Sequence, residues 1–110
     1  METLTKEELK KMIDEGEDFE LINVLGPERF EAKHIPGSIN IPVNKIEQRI
    51  EDKVPNKNRK IVVYCTSFSC QASPTAAKKL DEMGYTNVYD YEGGIKDWEE
   101  ADYPLEGTKS

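Results

Sequence analysis

The run Lys60-Ile-Val-Val-Tyr-Cys65 constrains the fold more than any other stretch of this chain. It is β-branched, nearly continuous in apolar side chains and too short for a helix. Alternate residues of a strand face opposite ways, so an unbroken apolar run is covered on both faces, as in the centre of a mainly parallel sheet. "FELINVL" (19–25) and "NVYDYE" (87–92) read as further strands, and "HIPGSINIP" (34–42) as a turn with a brief strand between Pro36-Gly37 and Pro42. Between them lie helical patterns. Thr5 and Glu8 form a capping box, with Leu4 and Leu9 as its hydrophobic staple, ahead of Leu9, Met12 and Ile13, and Gly16 stops that helix. "PERFEAKH" gives a short helix, and Val43, Ile46, Glu47 and Ile50 repeat at helical spacing. Ser73 is the expected N-cap and Pro74 the first residue of a helix lined by Ala76, Ala77, Leu80 and Met83 and closed by Gly84. Gly93-Gly94 turns into a last helix carrying Ile95 and Trp98. Strands alternating with helices of about ten residues define an α/β layer fold.

The 110 residues suffice for one domain with its own core, 1–110, with 105–110 expected to fray as a tail. The net charge of −7, without a basic cluster, argues against nucleic-acid and anionic-membrane partners. No apolar run approaches the ~20 residues of a membrane span. "METLTKEELKK" lacks the apolar core of a signal peptide. A cytoplasmic monomer is expected, and there the two cysteines stay reduced.

Both cysteines fall in one loop, "CTSFSCQAS" (65–73), between the central strand and a helix. Ligands of open parallel sheets bind beyond the carboxyl ends of strands, where Cys65 lies. Helix N-terminal N–H groups favour an anion and lower a cysteine pKa. Thr66, Ser67, Ser69, Ala72 and Ser73 are small enough for the backbone to curl around a substrate. A nucleophilic Cys65 suits all of this, while a strand-terminal cysteine is equally often mere core.

Three segments then resemble the rhodanese-like sulfurtransferase domains: "HIPGSINIP", "IVVYC", and "LDEMGYTNVYDYEGGIKDWEEADYPLEG" with its Gly-Tyr, strand, Gly-Gly, Trp and Tyr-Pro. Each is weak alone, but their order and spacing span nearly the whole chain. The resemblance implies a central five-stranded, mainly parallel sheet flanked by helices on both faces. It implies that Cys65 takes a sulfane sulfur as a persulfide, from thiosulfate or from a small or protein persulfide, and gives it to a thiol or cyanide-like acceptor. The backbone N–H groups of Thr66, Ser67, Phe68, Ser69, Cys70 and Gln71 would cradle that sulfur. No cofactor is implied.

The chain departs from the family pattern in ways that carry expectations. Asn23-Val24-Leu25 replaces Asp-Val-Arg, losing the polar role of the Asp or Arg. The loop is about two residues longer than usual and has no basic residue. Gln71 stands where related phosphatases carry the arginine that grips phosphate, which excludes that activity. With N–H dipoles alone to hold a dianion, thiosulfate should bind weakly, and a persulfide is the favoured donor. Cys70 either packs under the loop or resolves the Cys65 persulfide. His34 shapes the turn, because a zinc site of His34, Cys65 and Cys70 would lack its fourth ligand. Phe68 is a plug against the core or a lip for an acceptor protein, and Trp98 is core. Besides sulfur transfer, a Cys65/Cys70 redox module and a non-catalytic interaction domain remain open.

Overall fold

A computed structural model describes residues 2–108. Five strands form one sheet: β1 (Glu2–Leu4), β2 (Glu20–Asn23), β3 (Ile39–Asn40), β4 (Ile61–Tyr64) and β5 (Val88–Tyr91). Their order is β1-β5-β4-β2-β3, and every pairing is parallel. β4 is central and all four of its residues are buried, which requires cover on both faces. The helices are α1 (Lys6–Asp14), α2 (Pro27–Ala32), α3 (Ile46–Lys53, after a one-turn 3-10 helix Val43–Lys45), α4 (Ala72–Glu82) and α5 (Gly94–Glu100).

β1 is the strand that the sequence reading lacks. Glu2–Leu4 shows no apolar alternation, and it exists because β5 offers an open edge at Tyr89–Tyr91. The expected tail is also corrected in part. His34 and Glu106 exchange backbone hydrogen bonds of 2.8 Å, and the Thr108 N–H donates to Glu31 at 2.9 Å, so the chain is tied down as far as Thr108. Lys109 and Ser110 lie outside the described residues.

The family-like segments earn their places through polar ties. The Tyr64 hydroxyl accepts the Ile35 N–H at 3.0 Å and contacts Ser38 Oγ at 2.8 Å, fastening "HIPGS" to the central strand. Trp98 is buried, and its Nε1 donates to the Pro104 carbonyl at 2.8 Å, with Tyr103 against its ring. Asn23 retains a polar role after all: its buried Oδ1 accepts the Leu25 N–H at 2.9 Å, turning the chain out of β2.

After β2 the chain moves outward to β3, then returns to the opposite side of β2 for β4. The carboxyl ends of β2 and β4 therefore flank the topological switch point. Among the described residues no helix is long and apolar enough to cross a membrane.

Candidate active site

Cys65 follows β4 at that switch point and is 0% exposed. Its loop is held from outside by α5. The N–H groups of Ile95 and Lys96 donate to the carbonyls of Cys65 (3.0 Å) and Thr66 (2.8 Å), so the first turn of α5 satisfies the start of the loop. This approach needs Gly94. Its φ is +65°, and a Cβ there would lie 2.5 Å from the Cys65 carbonyl oxygen.

α4 begins two residues earlier than expected, at Ala72, with Gln71 as N-cap and no side-chain cap. Ser73 is therefore not the cap. It lies inside the first turn with its hydroxyl pointing into the protein, where the Cys65 thiol donates to it at 3.4 Å. The same hydroxyl favours the charged form of Asp90, a buried residue of β5. Pro74 is tolerated because its missing N–H falls in the first turn, where no partner is required.

The two thiols are coupled. The Cys65 thiol donates to the Cys70 carbonyl at 3.7 Å, and each thiol shifts the ionisation of the other. Burial, then Cys70, push the Cys65 pKa above the usual cysteine range, against the lowering effect of Ser73. The expectation of a depressed Cys65 pKa is thus overturned in the reduced pair: desolvation outweighs the helix end. Burial opposes ionisation of Cys70 too. Hydrogen bonds from the Cys65 thiol and the Thr66 and Ala72 N–H groups, with the charge of Arg29, outweigh it and pull Cys70 below its usual value. Of the two thiols, Cys70 is thus the one favoured to ionise.

The loop is not without a cation. Arg29, from the first turn of α2, donates from Nη2 to Thr66 Oγ1 at 3.1 Å. Sequence reading missed it because it lies 36 residues before Cys65, and only the adjacency of β2 and β4 brings it there. Asp90 was missed in the same way, although an acid in the middle of the strand-like run "NVYDYE" was a visible signal.

The other loop residues sort by exposure. Phe68 is 70% exposed at the tip, which removes the plug reading. Ser67 and Ser69 join their hydroxyls at 3.1 Å. The Cys70 N–H is taken by the Ser67 carbonyl at 3.0 Å, so it is not available to a substrate as expected. Gln71 is exposed and spends its carbonyl on Thr75. His34 stacks on Phe30 and donates from Nδ1 to the Phe30 carbonyl at 2.8 Å, an occupation that suits its turn-shaping role.

A parallel α/β layer fold presenting a cysteine-bearing loop at the sheet's switch point is a small, well-defined class. Within it, the chain belongs to the rhodanese-like domain family, whose model matches residues 5–101. It is 42% identical over 76 residues to the thiosulfate sulfurtransferase PspE of Escherichia coli, covering 69% of this chain and 70% of that protein. It is 30% identical to the putative sulfur carrier protein YrkF of Bacillus subtilis over 86% of this chain, and spans about half of YrkF (49%). Among solved structures, the BH2092 protein of Bacillus halodurans superposes with a TM-score of 0.90 at 30% identity, over 97% of this chain and 77% of that one.

Proposed function

We propose that this protein is a sulfurtransferase whose Cys65 carries the sulfur. The observation that carries the reading is the position of Cys65: at the carboxyl end of the central strand, with its carbonyl held by α5 and Ser73 at its sulfur. The names of PspE and YrkF support sulfur transfer in general. Thiosulfate and persulfides are both admissible donors, since Arg29 supplies the cation whose absence argued against the dianion. The Cys65 thiolate attacks the outer sulfur of thiosulfate, the donor's S–S bond breaks and sulfite leaves. An acceptor nucleophile then attacks the outer sulfur of the Cys65 persulfide, and Cys65 departs as thiolate. Because Cys65 is fully buried, the loop must part at Cys70 to admit either partner. The small side chains of Ser67 and Ser69 suit that motion.

A second reading rests on the closeness of the two cysteines, with the Cys65 thiol 3.7 Å from the Cys70 carbonyl. The Cys70 thiolate attacks the inner sulfur of the Cys65 persulfide, hydrosulfide leaves, and a Cys65–Cys70 disulfide remains for a cellular thiol to reduce. One experiment addresses both. Intact mass after a sulfane donor should show a gain of about 32 Da in wild type and none at the active site in Cys65→Ser, with turnover lost. Turnover in Cys65→Ser above a few per cent would refute the assignment. If Cys70 resolves the persulfide, Cys70→Ala keeps its sulfur longer than wild type; equal lifetimes leave Cys70 a structural thiol. Removing Cys70 also removes the neighbour that raises the Cys65 pKa, so alkylation of Cys65 should begin at lower pH in Cys70→Ala.

A further inference from the structure

The switch point opens sideways from the cysteine loop into a second feature, a cleft of about 550 Å³ between α2 and α5. Its floor is apolar, formed by Leu25 and Ile95, and Thr66 closes its inner end. Its rim is charged. Lys33 and Glu99 pair with each other across it. Arg29, Lys96 and Glu28 are exposed and, among the described residues, form no ion pair. What sets them apart is their place: all three line one cleft beside the cysteine loop. Two unneutralised cations beside one unneutralised carboxylate, over an apolar floor, suit a ligand with a short aliphatic body bearing both charges. The cleft is also several times larger than an inorganic sulfur oxyanion needs.

We infer that this cleft is the acceptor subsite and that it takes a small amino-acid-type thiol. Its carboxylate is held by Arg29 and Lys96, and its ammonium is directed to Glu28. This rests on the sulfur-transfer reading of Cys65. Arg29 is the bridge between site and subsite, because the guanidinium that faces the cleft also donates to Thr66, next to Cys65. A thiol seated this way points its sulfur past Thr66 towards the persulfide. The acceptor thiolate attacks the outer sulfur of Cys65–S–SH, an S–S bond forms on the acceptor as the one on Cys65 breaks, Cys65 leaves as thiolate, and RS–SH departs. No external oxidant or reductant is consumed.

The test compares cysteine, cysteamine (no carboxylate), 3-mercaptopropionate (no ammonium) and 2-mercaptoethanol (neither) as acceptors from protein preloaded with sulfur. The rates of single-turnover sulfur loss are corrected for each thiol's ionised fraction. Cysteine should lead. Arg29→Gln should reduce the ratio of cysteine to cysteamine by about fivefold or more, as expected for losing a charge-assisted contact to a carboxylate. Arg29→Lys should restore part of it. The ratio is the readout, so a general loss from a disturbed loop cancels. Equal rates for all four thiols, or a ratio unmoved by Arg29→Gln and Lys96→Gln, would overturn the subsite. Binding is read separately by titrating unreactive S-methylcysteine and following the amide resonances of Thr66, Ile95 and Lys96. Shifts in wild type that weaken in Arg29→Gln support the subsite even if Cys65 never loads sulfur, an outcome that would instead sink sulfur transfer. Normal loading with no shifts and no acceptor preference sinks the subsite alone.

Discussion

Two helix starts in this protein carry a hydroxyl residue and use it in opposite ways. At α1, Thr5 Oγ1 accepts the Glu8 N–H at 3.2 Å and Glu8 returns the contact to the Thr5 N–H at 2.9 Å. The end is self-contained and solvent-facing. At α4, the hydroxyl of Ser73 turns away from the helix end towards Cys65 and Asp90, and no side chain caps the helix. α5 goes further and gives its first N–H groups to the carbonyls of the cysteine loop. The start of α1 satisfies itself, while the start of α5 satisfies the loop. Local stabilisation is forgone where the chemistry is proposed to occur.

The largest test of that contrast is at α5. Gly94→Ala forces a left-handed φ on alanine and drives its Cβ into the Cys65 carbonyl. A cost of about 3 kcal/mol is expected from strain and overpacking together. The loop should lose its anchoring as well, so chemical denaturation and sulfur loading should both suffer. Unchanged loading in a folded Gly94→Ala protein would show that the α5 contacts do not shape the site. Thr5→Ala should cost about 1 kcal/mol, the usual value of a lost N-cap, and leave the titration of both thiols unmoved. A shift in thiol titration would mean that the two helix starts are not independent.

The sequence made the α1 end legible because a capping box is local: Thr5 and Glu8 are three residues apart and nothing else competes for them. The central strand was legible for the same reason, since burial on both faces leaves its mark within Ile61–Tyr64. The site is a different matter. Its partners come from β2–α2, β4 and β5, and their meeting depends on strand order. Ser73 looked like a cap because Ser-Pro ahead of an apolar pattern is a cap signal, and the competing acceptor lies 17 residues on in sequence but on the adjacent strand. Cys65 was placed correctly at the strand end. Its ionisation was misjudged because burial and a neighbouring thiol are tertiary facts. β1 was missed because an edge strand of three residues needs only a partner, not a pattern.

The smallest effect concerns the link between Ser73 and Asp90. Burial raises the Asp90 pKa above the ordinary 3.8, Ser73 opposes that shift, and the charge of Glu92 adds to it. A raised folded pKa means that folding takes up a proton between the unfolded and folded values. The associated stability is full below about 3.8 and is lost as pH rises through the folded value. Asp90→Asn removes that slope, so its denaturation midpoint should gain on wild type as pH rises from 4 towards neutrality. Among the described residues Asp90 Oδ1 meets no donor, so the ionised carboxyl leans on Ser73. Ser73→Ala should therefore cost more above the carboxylate range than below it, and less in an Asp90→Asn background, with a coupling of about 1 kcal/mol in the double-mutant cycle. It should also move Cys65 alkylation to higher pH, because the Ser73 hydroxyl is one of the contacts that favour the thiolate. A pure cap would behave otherwise: its loss would cost the same at every pH and with either residue at 90. Additive costs in the cycle, together with an unmoved alkylation profile, would return Ser73 to the role of an ordinary helix residue.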